Sequence, residues 1–286
     1  MIAPTAMSNT DRFLLAGVMG DPVMHSRSPK LHNYWLAKYG LTGAYMPLAI
    51  AREHLRAALR ALPALGFSGC NLTIPHKEAA LKIVDTVDPL ARRIGAVNCV
   101  VVATDGSLEG QNHDAFGYIE SVREAQPGWR ADTGPIVVIG AGGGARAVLV
   151  GLIDQGAREI RLVNRTLARA EALANELSDS ITALSWEERE RALEDAAMLI
   201  NATNQGMVGE PPLDLAIDRL PVSALVSDIV YIPRETALIA AARTRGNPMV
   251  NGLGMLLHQA RPAFQAWFGI MPEVTPELRA MIEATT

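Results

Sequence analysis

V-V-I-G-A-G-G-G-A-R-A, residues 137–147, decides the fold. An apolar β-branched run enters the glycines, a helical pattern follows from about Arg146 to Gln155, and Gly156 supplies a stop. That order predicts a strand, a tight loop and a helix whose first turn offers bare backbone N–H groups to a pyrophosphate. Gly140 and Gly142 fit the first two glycines of G-x-G-x-x-G/A and Ala145 the third, with Ala141, Gly143 and Gly144 completing the loop. The next strand, R-E-I-R-L-V-N at 158–164, ends about twenty residues on, where such folds read the adenosine ribose. An acidic residue there would bond a ribose 2′-OH, but this chain offers Asn164, Arg165, Thr166 and Arg169. Arg165 and Arg169 stand at i and i+4, so a helix beginning near Thr166 would aim both guanidiniums at one point. Such a pair suits a 2′-phosphate, and NADP is the expected cofactor.

Around this loop the composition sets a frame. A chain of 286 residues that is 49% apolar suggests two packed domains. The net charge of −4 comes without a basic stretch, so no nucleic acid is expected as a partner. No apolar run is long enough to span a bilayer, and F-L-L-A-G-V-M-G at 13–20 has the length of a buried strand rather than of a signal peptide. Cys70 and Cys99 form no disulfide framework, which fits a reducing cytoplasm. The sequons at Asn71 and Asn201 therefore carry no glycosylation meaning. Residues 1 to about 10 read as a disordered tail, with Met7 an alternative start.

The first hundred residues alternate strand and helix. A strand at 13–19 precedes Ser28 and Pro29, read as the N-cap and first position of a helix that Gly40 ends. A strand near 44–50 leads into a helix ending near Pro63, and F-S-G-C-N-L-T-I at 67–74 is a third strand stopped by Pro75. After a short helical stretch, the apolar run at 96–104, Asp105-Gly106 and S-L-E-G-Q-N at 107–112 form a hairpin with a tight turn. A helix runs from Asp114 to about Ala125, and Q-P-G-W-R-A-D-T-G-P at 126–135 links to the nucleotide-binding half. That half repeats strand and helix through M-L-I-N-A-T, A-L-V-S-D-I-V and P-M-V. A last long helix, roughly Gly252 to Phe268, does not declare which domain it packs on. The architecture read here is α/β with two open sheets, and ligands are expected in the cleft between them.

A dehydrogenase needs a proton-transfer group beside its carbonyl or alcohol. Tyr34 and Lys38 form a Tyr-x-x-x-Lys pair, but the short-chain dehydrogenases place that pair after the glycine loop, whereas here it comes before. The six histidines show no metal-ligand spacing and no serine lies in a nucleophile elbow, so metal-free acid–base catalysis is expected.

The polar segments G-D-P-V-M-H-S-R-S-P, G-C-N-L-T-I-P-H-K-E, G-A-V-N, G-Q-N-H-D, G-A-G-G-G-A-R, N-R-T, N-A-T-N-Q-G-M, D-I-V-Y-I-P and N-G-L-G-M-L-L-H-Q-A, in that order, resemble the shikimate dehydrogenase family. The resemblance runs from about residue 13 to 272. It implies NADP-dependent, reversible reduction of 3-dehydroshikimate to shikimate, a step towards chorismate and the aromatic amino acids. It further implies that Ser26 and Ser28 bond the substrate carboxylate, that Asn71 and Thr73 lie beside the substrate, and that Asn98 bonds a ring hydroxyl. Lys77 and Asp114 would be the catalytic pair, with Tyr231 and Gln259 completing the pocket. Asn201, Ala202, Thr203 and Ile229 would border the cofactor, with Gly252 and Met255 by the nicotinamide. The late helix would return to the first domain, giving a substrate-binding and catalytic domain at 11–113 completed by about 252–286, and a Rossmann-type NADP-binding domain at 114–251. A monomer or homodimer with small-molecule partners is expected.

Two departures stand out. The family's usual Asn-Thr-Asp-Gly is Asn112-His113-Asp114-Ala115 here, and Asn204 and Gln205 replace smaller residues after N-A-T. His113 is expected to reshape the pocket or its pH response. Oxidation of quinate or another cyclohexene-carboxylate, and a catalytically silent NADP-binding regulator, are the alternative readings; Lys77 and Asp114 together argue against the second.

Overall fold

Hydrophobic runs bounded by Gly, Pro and Asn become strands, and the amphipathic stretches between them become covering helices. A computed structural model describes residues 13–285. The expected tail at 1–10 and the start at Met7 lie outside the described residues. Contacts divide the chain into two units, one holding residues 13–113 with 260–285 and the other residues 114–259.

The first unit is built on β1 (Leu14–Gly20), α1 (Ser28–Lys38), β2 (Gly43–Ala49), α2 (Leu55–Ala61), β3 (Phe67–Leu72), β4 (Thr86–Val87), α3 (Pro89–Ile94), β5 (Cys99–Val102) and β6 (Leu108–Gln111). The strands order as β2-β1-β3-β5-β6-β4. β1, β2 and β3 run parallel, β5 is antiparallel to β3, and β6 reverses again as the second arm of the hairpin. The carboxyl ends of β1, β2, β3 and β6 and the start of β5 therefore lie along one sheet edge. One face buries Leu55, Leu59, Leu62, Cys70, Leu72, Val97 and Val100. An aromatic cluster of His32, Trp35, Tyr45, Phe264 and Trp267 forms a second core, joining α1 and β2 to residues after 260. The Trp267 indole donates to the Val100 carbonyl at 3.0 Å, and Gly69 makes this possible because a Cβ there would lie 2.3 Å from the indole nitrogen.

The second unit contains α4 (Asp114–Ala125), β7 (Ile136–Ile139), α5 (Gly143–Asp154), β8 (Ile160–Val163), α6 (Leu167–Leu177), β9 (Ile181–Leu184), β10 (Met198–Asn201), β11 (Leu225–Asp228), α7 (Ala237–Arg245) and β12 (Met249–Val250). Its sheet is parallel throughout, in the order β12-β11-β10-β7-β8-β9. This is the doubly wound arrangement whose strand order reverses beside β7, and one apolar core covers each face. α8 (Leu253–Phe268) continues through Pro262, with its residues up to Gln259 in this unit and those from Ala260 in the first; α9 (Pro276–Glu283) closes the described chain. Among the described residues no helix is long and apolar enough to cross a membrane.

Two local expectations need correction. Ser28 is the first residue of α1 rather than its cap; Arg27 holds the cap position, and the Ser26 hydroxyl accepts from the Ser28 N–H at 3.3 Å. Arg165 lies before α6, whose N-cap is Thr166, so Arg165 and Arg169 flank the helix start instead of lying on one helical face. The two-residue strand β4 was too short to leave a periodic signal.

Candidate functional site

Sheet order brings most of the first unit's candidates to a single edge. Asn71 is the penultimate residue of β3, Thr73 follows that strand, Asn98 precedes β5 and Asn112-His113 follow β6. Hydrogen bonds fasten them together. The Asn71 amide donates to the Asn98 carbonyl at 3.0 Å, Asn98 Oδ1 accepts the His113 backbone N–H at 2.9 Å, and the Asn112 amide donates to the Ala96 carbonyl at 2.8 Å. Asn71, Asn98 and Asn112 are all buried, so each needs these partners to offset lost hydration. Thr73 is pinned by its N–H to the Met19 carbonyl. Lys77 is half-buried, and its carbonyl accepts from Val97 at 2.8 Å, which sets the lysine segment beside the Asn98 turn.

Ser26 and Ser28 stand at the start of α1. Ser26 Oγ takes the Ser28 N–H and Pro29 carries none, so what the start of α1 keeps for a carboxylate is the Ser26 hydroxyl hydrogen and the positive end of the helix, with the Ser28 hydroxyl beside Tyr45. His113 closes the first unit, and Asp114, 6% exposed, opens α4 in the second as its first residue.

In the second unit the cofactor candidates lie at the carboxyl ends of parallel strands, where such sheets take ligands. Gly140 follows β7 with φ of 110°, and a Cβ there would press on Thr203 Cγ2 at 2.8 Å and the Ala202 carbonyl at 3.0 Å. Gly142 and Gly143 face open space, with nothing within 4 Å of where a Cβ would stand. Gly142 caps α5 without a side-chain bond, leaving first-turn N–H groups for an anion, while Ala145 is fully buried against the sheet. The cradle thus fits a pyrophosphate. Asn164 turns its amide to the Thr166 carbonyl at 2.8 Å, and Arg165, Thr166 and Arg169 are exposed at the end of β8.

A second knot holds the ends of β10 and β11. Asn201 donates to Asp228 Oδ1 at 3.0 Å and to the Gln205 carbonyl at 3.0 Å, while its own Oδ1 accepts the Thr203 hydroxyl at 2.7 Å. Asp228 also accepts the Val230 N–H and the Thr236 hydroxyl. Burial pushes its carboxyl above the ordinary range, and these three donors pull it partly back. The knot uses the main chain of Gln205, so the loop closes with this residue in place of a smaller one. Tyr231 follows, half-buried, in the loop that Asp228 fastens, and Gln259 bonds the Leu256 carbonyl within α8. Ala141, Ile229 and Met255 are partly buried apolar residues against this unit's core, and Gly252 lets the chain pass where a Cβ would meet the Ile229 carbonyl at 2.1 Å.

Sequence reasoning missed Asp228 as the organiser of Asn201, although its place as the last residue of an apolar strand was a signal. It also missed Tyr45, whose hydroxyl reaches Asn71 Oδ1 at 2.7 Å; one tyrosine in a strand carries no pattern.

Three family models match in sequence order. They describe a shikimate dehydrogenase substrate binding domain over residues 18–100, shikimate / quinate 5-dehydrogenase over 124–209, and a shikimate 5′-dehydrogenase C-terminal domain over 252–284. A shikimate dehydrogenase (NADP(+)) of Paramagnetospirillum magneticum is 55% identical over 94% of this chain and 97% of its own length. One from Rhodospirillum rubrum is 54% identical over 96% of this chain and 98% of its own. Among solved structures, shikimate 5-dehydrogenase from Thermus thermophilus in complex with NADP(H) and shikimate superposes with a TM-score of 0.84 at 36% identity, covering 96% of this chain and 98% of the other. Quinate dehydrogenase from Corynebacterium glutamicum in complex with NAD gives 0.88 at 30% identity, covering 95% and 99%.

Proposed function

The chain belongs to the shikimate dehydrogenase family, and on that premise we propose that it reversibly reduces 3-dehydroshikimate to shikimate with NADP, on the route to chorismate and the aromatic amino acids. The observation that carries the reading is the first unit's sheet edge, where Asn71, Asn98 and the His113 backbone are tied into one buried polar cluster beside Thr73 and the Lys77 segment.

The roles follow from the chemistry of the side chains. Ser26 donates its hydroxyl hydrogen to the substrate carboxylate, and Ser28 turns its own from Tyr45 to that carboxylate as substrate binds, aided by the positive end of α1. Asn71, Thr73 and Asn98 orient the ring hydroxyls, and Tyr231 and Gln259 add further polar contacts. Gly140 to Ala145 hold the pyrophosphate, Asn164, Arg165, Thr166 and Arg169 the 2′-phosphate, and Asn201, Ala202, Thr203, Ile229, Gly252 and Met255 the nicotinamide end. When bound, the reduced form of NADP would supply the hydride, and its oxidised form would accept one in the reverse direction. Lys77 as an ammonium delivers a proton from Nζ to the substrate oxygen as negative charge develops there, and in oxidation its neutral form takes one up. Asp114 as a carboxylate pairs with that ammonium and orients it towards the substrate oxygen.

This reading assigns substrate binding and Lys77 to the domain of residues 11–113 with about 252–286, and NADP binding to 114–251, whose first residue is Asp114. Buried thiols at Cys70 and Cys99 fit a reducing cytoplasm as the setting, with the enzyme acting as a monomer or homodimer on small molecules. The test is turnover of shikimate or quinate with NADP or NAD, followed by absorbance of the reduced nicotinamide. Shikimate with NADP is expected to be the fastest pairing. Turnover confined to quinate, or none in any pairing, would overturn the proposal.

A further inference from the structure

Tyr45 lies on β2, a strand that contributes no residue to the proposed substrate set. Its side chain is 2% exposed, and its hydroxyl donates to Asn71 Oδ1 at 2.7 Å. The ring is clamped. His32 stacks on it with centroids 4.1 Å apart and planes 5° from parallel, and Trp267 tilts against it at 5.9 Å. Its main chain is clamped as well, since Asn33 accepts the Tyr45 N–H at 2.9 Å and donates to the Tyr45 carbonyl at 2.9 Å. Burial holds the phenol protonated, and Ser28 acts on the same hydroxyl as a hydrogen-bonding neighbour.

An asparagine amide carries an acceptor on one arm and donors on the other, and its terminal torsion is soft. Two groups define it here. The Asn98 carbonyl, which can only accept, selects the amino arm of Asn71, and the Tyr45 O–H selects the carbonyl arm. One N–H and one lone pair of Asn71 then remain, each in a fixed direction. We propose that Tyr45 is a positioning residue that sets the orientation in which Asn71 meets the substrate. The inference rests on the proposed function, in which Asn71 contacts shikimate.

Tyr45→Phe keeps the ring on His32 and removes only the hydroxyl. Leaving the Asn71 acceptor unpaired is expected to raise the KM and the equilibrium Kd for shikimate about tenfold. The kcat and the KM for NADP are expected to stay within about twofold of wild type. Against Asn71→Ser, or Asn71→Ala if the serine variant does not fold, adding Tyr45→Phe is expected to change shikimate binding less than about twofold, because the group it orients has gone. A wild-type shikimate KM in Tyr45→Phe would overturn the inference, as would an undiminished penalty in the Asn71 background or an equal loss for both ligands. If the unaltered enzyme does not turn over shikimate, the proposed function fails and this inference falls with it; an active wild type with an unaffected Tyr45→Phe removes this inference alone.

Discussion

His32 is fully buried among Trp35, Tyr45, Phe264 and Trp267, and neither ring nitrogen has a hydrogen-bond partner. Burial lowers its pKa from 6.5 to about 3, so the folded protein holds it neutral while the unfolded chain protonates it normally. A group depressed in this way contributes full stability above the unfolded pKa, and loses it as pH falls from 6.5 towards 3. At about pH 5 the unfolded imidazole is protonated roughly thirtyfold over neutral, which corresponds to about 2 kcal/mol of lost stability. His32→Phe keeps an aromatic ring in the stack and cannot titrate. Urea denaturation near neutral pH and at about pH 5 therefore separates this residue from every other titrating group, since those contribute equally to both proteins. Trp35 and Trp267 border the ring, so their emission follows this core. The wild type is expected to lose about 2 kcal/mol more than the variant on acidification. Equal losses would refute the buried neutral imidazole.

The cofactor cradle and the site's departures give further expectations. Gly142 has an extended backbone and open space at its missing Cβ, so Gly142→Val is expected to leave the melting temperature unchanged while weakening NADP binding at least about tenfold, measured by titration with the nucleotide. Removing either guanidinium, by Arg165→Ala or Arg169→Ala, is expected to raise the KM for NADP about tenfold and leave that for NAD near its starting value, because only NADP carries the 2′-phosphate. His113→Thr is expected to change kcat/KM for shikimate and quinate or their pH profiles; steady-state kinetics with unchanged values on all counts would mean that His113 does not shape the pocket.

The glycine loop was legible because three signals coincide at residues 137–156: an apolar run, glycines where backbone must approach a ligand, and a helix with a stop. The hairpin at 99–111 was legible because Asp105-Gly106 separates the apolar run at 96–104 from the shorter S-L-E-G-Q-N, and Gly106 does take φ of 83°. What failed depends on single residues at helix ends. Ser28 before Pro29 satisfies a capping pattern, yet the helix starts one residue earlier, and Arg165 sits two residues before α6 begins, too early to join its face. Tyr45 and His32 were silent for another reason. Their role arises from packing among α1, β2 and the residues after 260, and no local pattern encodes contacts so distant in sequence. The candidate set itself came from the joint order of its polar segments, since each of Ser28, Asn98 or Lys77 alone has an ordinary structural use.

The most direct measurement is the kcat for shikimate oxidation with NADP by wild type and by Lys77→Ala, with shikimate binding measured alongside. Loss of the proton-transfer group is expected to lower kcat by about 10²- to 10⁴-fold while shikimate still binds. A Lys77→Ala enzyme with wild-type kcat would contradict the assignment of Lys77 as the residue that moves the proton.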